Sequence, residues 1–469
     1  MKLYSTRNTN LEQTPWQALI QPMAPDGGLW MFNEFPLVPW ETWINLPFED
    51  IVYEILSIVF PELDIDKDFI HKAYAQFEQP EIVPSIFRKH QIVELYHGPS
   101  AAFKDIALSV LPELSHRAFI KSGTRVVPHI LTATSGDTGS AALMGFKGSV
   151  FPITVFYPQV GISSIQRRQM TTIDAKGVKV YGIEGNFDDT QAVVKHLFRH
   201  DKDHHYGSAN SINIGRLIPQ LAYYFKAYGD AIKHHRIQKG EALSFSIPSG
   251  NFGNAFAGYC AYRMGLPIKH LIIASNANDV LTEFFTQGRY NRRREFLHTQ
   301  SPSMDILVSS NLERLLFLEA NAIDVAGYMH TLDQDGMYQI DTNLLNQLQS
   351  RFKAYRIDEV LTSQTIQTVY DQEQVLLDPH TAVAWAAAEH YQIEYPHQAI
   401  AVLATASAYK FPRSVLNALK ALPSEDDFKA MVELSKLTGT LIPKALRSLE
   451  DLPEIHTQIL SITQAKELK

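Results

Sequence analysis

Leu243-Ser244-Phe245-Ser246-Ile247-Pro248-Ser249-Gly250-Asn251-Phe252-Gly253-Asn254 is a short apolar run, a loop with two glycines, and the opening of a helical stretch over residues 254–264. Strand, glycine loop and helix form the unit from which parallel α/β sheets are wound. The alternation recurs outward: residues 129–134 before 140–146, then 151–157, 178–183 before 189–198, 270–275, and a buried-strand run at 399–405. It predicts an α/β region over residues 91–425, built as two parallel-rich subdomains. Residues 1–90 lack the alternation. They are rich in Trp and Pro (Trp16, Trp30, Trp40, Trp43), with helical stretches at 48–60 and 65–77, and predict a helical N-terminal lobe. Asp378 and Pro379 read as the N-cap and first residue of a further helix. Residues 426–469 read as an amphipathic helical tail with a break at Pro443.

The loops between strand and helix carry the chemistry. Gly250 and Gly253 admit positive φ and close backbone approach, so Ser249–Asn254 suits a phosphate held by backbone amides. A Gly-Lys-Ser/Thr ending and a Gly-x-Gly-x-x-Gly spacing are both missing, which disfavours a nucleotide. The second loop, Thr134-Ser135-Gly136-Asp137-Thr138-Gly139-Ser140, offers hydroxyls and a helix N-terminus to an anion such as a carboxylate. Asp137 is tolerable there only if it meets an ammonium, a hydroxyl or the loop's own amides. Lys104 follows the small residues Gly98-Pro99-Ser100-Ala101-Ala102, and burial in such a pocket lowers an amine toward neutrality. Thr405, at the end of a buried strand, lies where ligand crevices of open α/β sheets form. An imine-forming lysine, a carboxylate loop and a phosphate loop are together the parts of a pyridoxal-phosphate enzyme.

Composition narrows the rest. The 469 residues are 45% apolar and 20% charged, which is ample for a large core, and the net charge of −8 argues against a general nucleic-acid binder. Cys260 is the single cysteine, so no intrachain disulfide can form and a reducing, cytoplasmic setting is expected. The N-terminus shows no apolar core of signal-peptide length, and no apolar run reaches the roughly 18 residues of a membrane helix. The histidine pairs His204-His205 and His234-His235 lack metal spacing and read as solvated, so no metal is expected. The cluster Arg289, Arg292, Arg293, Arg294 reads as a solvated loop. A Gly-x-Ser-x-Gly elbow is missing, against a serine hydrolase.

The chain resembles the threonine synthases of the longer bacterial and fungal type. The resemblance rests on Met1–Arg7, Ala24–Leu29, His97–Asp105, Thr134–Ala142, Ser208–Arg216, Pro248–Asn254, Ser275–Asp279, Pro302–Ile306, Ser309–Arg314 and Asp378–Val383. It implies a fold-type-II pyridoxal-phosphate enzyme, similar in architecture to the tryptophan synthase β subunit. The implied reaction converts O-phospho-L-homoserine and water to L-threonine and phosphate. By the same resemblance Lys104 is the Schiff-base lysine, Ser249, Gly250, Asn251, Phe252, Gly253 and Asn254 hold the cofactor phosphate, and Thr405 meets the pyridine nitrogen. Ser135, Gly136, Asp137 and Thr138 would take the substrate carboxylate, with Arg216 and Lys410 as cations for its phosphate. The implied partner is this small molecule, and the assembly a monomer or homodimer. One segment departs from the family's Gly-Thr-Ala-His-Pro-Ala-Lys-Phe: residues 404–411 read Ala-Thr-Ala-Ser-Ala-Tyr-Lys-Phe. Loss of the histidine leaves as one alternative a related phospho-lyase releasing 2-oxobutyrate; a non-catalytic binding module of the same fold is a separate one, against which Lys104 and both anion loops stand intact.

Overall fold

Every residue of the strand Leu243–Pro248 is buried, as in a strand covered on both faces by helices. The computed structural model describes residues 1–78, 80–200 and 206–468. In it this strand is interior to a six-stranded sheet. The order is Phe352–Arg356, Ile268–Ser275, Leu243–Pro248, Ile400–Ala404, Gln91–Glu94 and Ser85–Phe87, parallel throughout except for the last pair. A second, all-parallel sheet runs Ile459–Leu460, Val178–Ile183, Ile153–Pro158, His129–Ala133 and Tyr206–Ser208. Ile153–Pro158 is again buried along its whole length.

The helix Pro379–Glu394 packs across the larger sheet, against Ile268–Ser275, Leu243–Pro248 and Ile400–Ala404. Asp378 caps it by accepting from the His380 and Thr381 amides, with Pro379 in the first turn, as the sequence predicted. Its run Thr381–Ala388 is buried and rich in alanine, so the helix lies close on the strands.

The N-terminal segment is less purely helical than its sequence suggests. Helices Phe48–Val59 and Lys67–Tyr74 form, but Leu3–Ser5, Glu12–Gln13 and Trp30–Met31 make a small antiparallel sheet. Those strands are two or three residues long, too short for a period-2 pattern to register. Ser85–Phe87 joins the larger sheet from the same segment. The tail contributes helix Asp427–Thr438 and, beyond Pro443, the strand Ile459–Leu460, which extends the smaller sheet. The pair His204-His205 lies outside the described residues.

Candidate active site

The C-terminal ends of both sheets open onto one cavity of about 870 Å³. Lys104, Ser135, Thr138, Arg216, the whole Ser249–Asn254 loop and Thr405 line it. Gly136, Asp137 and Lys410 are not among its lining residues.

Lys104 opens the helix Lys104–Leu108, and the turn before it is tightly constrained. Ala101 has φ 54°, in the left-handed region that costs a non-glycine residue energy. The Ser100 amide donates to the Asp105 carboxylate at 2.8 Å. The Phe103 amide donates to the Thr405 carbonyl at 2.9 Å, and the Ser407 amide to the Ala101 carbonyl at 3.1 Å. The chain thus pairs across residues 101–103 and 405–407 just where the strand Ile400–Ala404 ends. Burial lowers the Lys104 amine below the ordinary lysine range; Asp137 opposes this and the charges of Lys410 and Arg216 add to it.

Asp137 is the interior partner of two amines. Its Oδ1 accepts from Lys410 Nζ at 2.6 Å and Gln166 Nε2 at 2.9 Å. Its Oδ2 accepts from the Ser303 hydroxyl at 2.8 Å and Lys104 Nζ at 3.3 Å. Burial alone would raise this carboxyl, but Lys410 first and Lys104 second hold it well below the usual carboxylate range. The condition set by the sequence, that Asp137 must meet an ammonium or a hydroxyl, is met by both. Lys410 is fully buried and also donates to the Ser100 carbonyl at 2.9 Å, so its amine is committed away from the cavity. Gly136 has φ 135°, and a Cβ there would lie 2.6 Å from the Gln166 side chain.

In the Ser249–Asn254 loop the positive φ falls on Phe252 (61°) and not on Gly250 or Gly253. Gly250 is needed for a different reason: a Cβ there would approach the Ser303 carbonyl to 3.0 Å. Asn254, in the first turn of helix Gly253–Arg263, accepts through Oδ1 from Tyr223 at 2.5 Å and Tyr224 at 3.0 Å. Its Nδ2 is buried with no partner among the described residues, and so is Arg216 Nε. Arg216 Nη1 donates to the Ala209 carbonyl at 2.6 Å, and burial pushes the guanidinium down to about 10.

The family model described as the threonine synthase N terminus matches residues 2–76. Threonine synthase of Saccharomyces cerevisiae is 35% identical over 95% of this chain and 94% of its own length. That of Pseudomonas aeruginosa is 36% identical, covering 88% of this chain and 90% of the relative. The chain belongs to the threonine synthase family. The crystal structure of pyridoxal-phosphate-bound threonine synthase from Brucella melitensis superposes with a TM-score of 0.88 at 34% identity, covering 100% of this chain and 98% of that one. The expected fold type II is thereby established.

Beside these threonine synthase features, the cavity has walls that sequence reasoning passed over. His380 lines it, with Nδ1 at 2.7 Å from Asp378 Oδ1 and Nε2 accepting from the Ser303 amide at 3.1 Å. This sets the proton on Nδ1. The Asp-Pro-His opening of its helix was a visible signal, read as a cap and as part of the family resemblance but not as a site residue. Arg7 also lines the cavity and donates twice to Glu313, each bond 2.9 Å. Among the clustered arginines, Arg289 and Arg294 pair with Glu283, Arg294 also with Asp279, while Arg292 reaches the cavity wall. That is a correction to a solvated loop. The divergent Ser407-Ala408-Tyr409 segment does not line the cavity; Tyr409 hydrogen-bonds Thr440 through its hydroxyl. Among the described residues no group of three His, Cys, Asp or Glu is placed to hold a metal.

Proposed function

We propose that the chain converts O-phospho-L-homoserine and water to L-threonine and phosphate, with pyridoxal 5'-phosphate as cofactor. The observation that carries this is the meeting, in one cavity, of an amine lowered by burial, Lys104, with two buried donors that have no partner among the described residues, Asn254 Nδ2 and Arg216 Nε. Spare buried donors fit a phosphate ester, since an unpaired one costs about 1–3 kcal/mol, and Asn254 adds the N-terminus of helix Gly253–Arg263.

Lys104 would hold the cofactor covalently, and the 249–254 loop with Asn254 its phosphate. The Thr405 hydroxyl, which lines the cavity, would be the neutral neighbour for its ring nitrogen. When bound, pyridoxal phosphate supplies the electron sink that makes the Cα and Cβ protons of an amino acid removable. Lys104, once free, is then the base that takes those protons and the acid that returns them at Cγ and Cα. Arg216 Nε is the donor for the departing substrate phosphate. Ser135 and Thr138, at the start of helix Asp137–Phe146, offer hydroxyls and the helix terminus to the α-carboxylate.

No helix among the described residues is long and apolar enough to cross a membrane. On this reading the enzyme works in the cytoplasm, as a monomer or homodimer. The test is to incubate the protein with O-phospho-L-homoserine and quantify phosphate, amino acid and keto acid together. Threonine equal to phosphate supports the synthase; 2-oxobutyrate in that ratio would show a phospho-lyase instead.

A further inference from the structure

We propose that Lys410 is a positioning residue for Lys104: it holds Asp137 as its own counter-ion and so leaves the Lys104 amine without one. The proposal rests on Lys104 being the cofactor lysine.

Asp137 is a single carboxylate facing two amines, and the contacts are unequal. Lys410 Nζ stands at 2.6 Å and Lys104 Nζ at 3.3 Å. In a buried site one carboxylate compensates one ammonium, and the desolvation of a second goes unrepaid. The closer amine takes the charge. Lys410 cannot turn away, because its Nζ also donates to the Ser100 carbonyl at 2.9 Å, an acceptor shared with Gln169 Nε2. Asp137 is fixed in turn by Gln166 and Ser303.

The charged and titratable groups facing Lys104 are few. Among the described residues, besides Asp137 and Lys410, they are Arg216 across the cavity and Asp105 next along its own helix, with His380 holding the Ser303 turn beside Asp137. Asp105 is bonded to the Ser100 amide. Burial first of all lowers the Lys104 amine, with the positive charges of Lys410 and Arg216 adding to it and Asp137 opposing it. Without Lys410, Asp137 would pair with Lys104 alone, and the amine would stay protonated and pinned.

The test reads capture of pyridoxal 5'-phosphate by the full-length protein stripped of cofactor, as rate against pH. Borohydride reduction and peptide mass locate the label. In wild type the label should fall on Lys104; a label elsewhere would sink the proposed function independently of this inference. Lys410→Met should raise the pH midpoint of capture by about one unit, roughly tenfold slower capture at neutral pH. Asp137→Asn should lower it, and the double variant Asp137→Asn/Lys410→Met should lose the rise. An unchanged midpoint in a folded Lys410→Met protein overturns the proposal. So does a double variant that keeps the full rise, since Lys410 would then act without Asp137. Should Lys410→Met fail to fold, Asp137→Asn decides alone: an unchanged or raised midpoint overturns it.

Discussion

Phe103 and Thr405 are joined main chain to main chain, amide to carbonyl at 2.9 Å, with the return bond from Ser407 to Ala101 at 3.1 Å. The residue after Phe103 is Lys104, so the placement of its main chain relative to Thr405 is set by backbone pairing. Neither can shift without breaking the bridge between Ala102 and Ala406.

Lys104→Ala should abolish covalent cofactor attachment. The wild-type protein should absorb at roughly 410–420 nm, as protonated pyridoxal imines do, and the variant should lack that band. A variant retaining the band after dialysis would refute the lysine's role.

Gly250→Ala tests close approach in the phosphate loop. The added Cβ would sit 3.0 Å from the Ser303 carbonyl and 3.2 Å from Met304 Cα, so the turn at Pro302–Met304 must give way. Overpacking of this kind costs about 1–3 kcal/mol. Calorimetry should show a lower Tm, and fluorescence titration a weaker cofactor Kd.

Arg216→Ala removes a donor for the substrate phosphate. KM for O-phospho-L-homoserine should rise by roughly 10- to 100-fold, the value of about 1.5–3 kcal/mol for a bond to a charged group. Arg216→Lys should recover little, because a point ammonium cannot reproduce the guanidinium fork. Steady-state kinetics with an unchanged KM would remove Arg216 from the site.

Asp105 gives a pH signature. Burial raises its carboxyl from 3.8 to about 6, partly offset by its bond from Ser100. The folded chain therefore holds this proton more tightly than the unfolded chain. Its contribution to stability is full below about pH 4 and is lost as pH rises through about 6. Asp105→Asn keeps the acceptor for the Ser100 amide and cannot titrate. The Tm difference between variant and wild type should grow in the variant's favour from pH 4 to pH 6, and a flat difference would contradict the assignment.

The parallel strands were legible because burial on both faces leaves uninterrupted apolar runs, such as those ending at Pro248 and Ala404. The strand Phe352–Arg356 was not: only Phe352 is buried, and Lys353 and Arg356 mask the pattern. In the site, Lys104 and the 249–254 loop stood out because small residues mark where backbone meets ligand. Asp137 and Lys410 were assigned to substrate because charge in a loop shows on paper, whereas its neutralisation by a residue more than 250 positions away does not. Ser303 and His380 were missed alike: their meeting at 3.1 Å depends on how the 302–304 turn lies against the helix Pro379–Glu394.

The larger sheet also dictates when the lysine becomes useful. The strand Ile400–Ala404 lies between Leu243–Pro248 and Gln91–Glu94, so those two, although made much earlier, have no direct pairing with each other. Until residue 405 leaves the ribosome each presents an open edge, a liability for association with other chains. The Phe103 amide likewise waits for the Thr405 carbonyl. Lys104 is synthesised in the first quarter of the chain, yet the backbone pairing that anchors its turn cannot form before residue 405 is made, so a nascent chain halted before residue 400 would carry a lysine with its site incomplete.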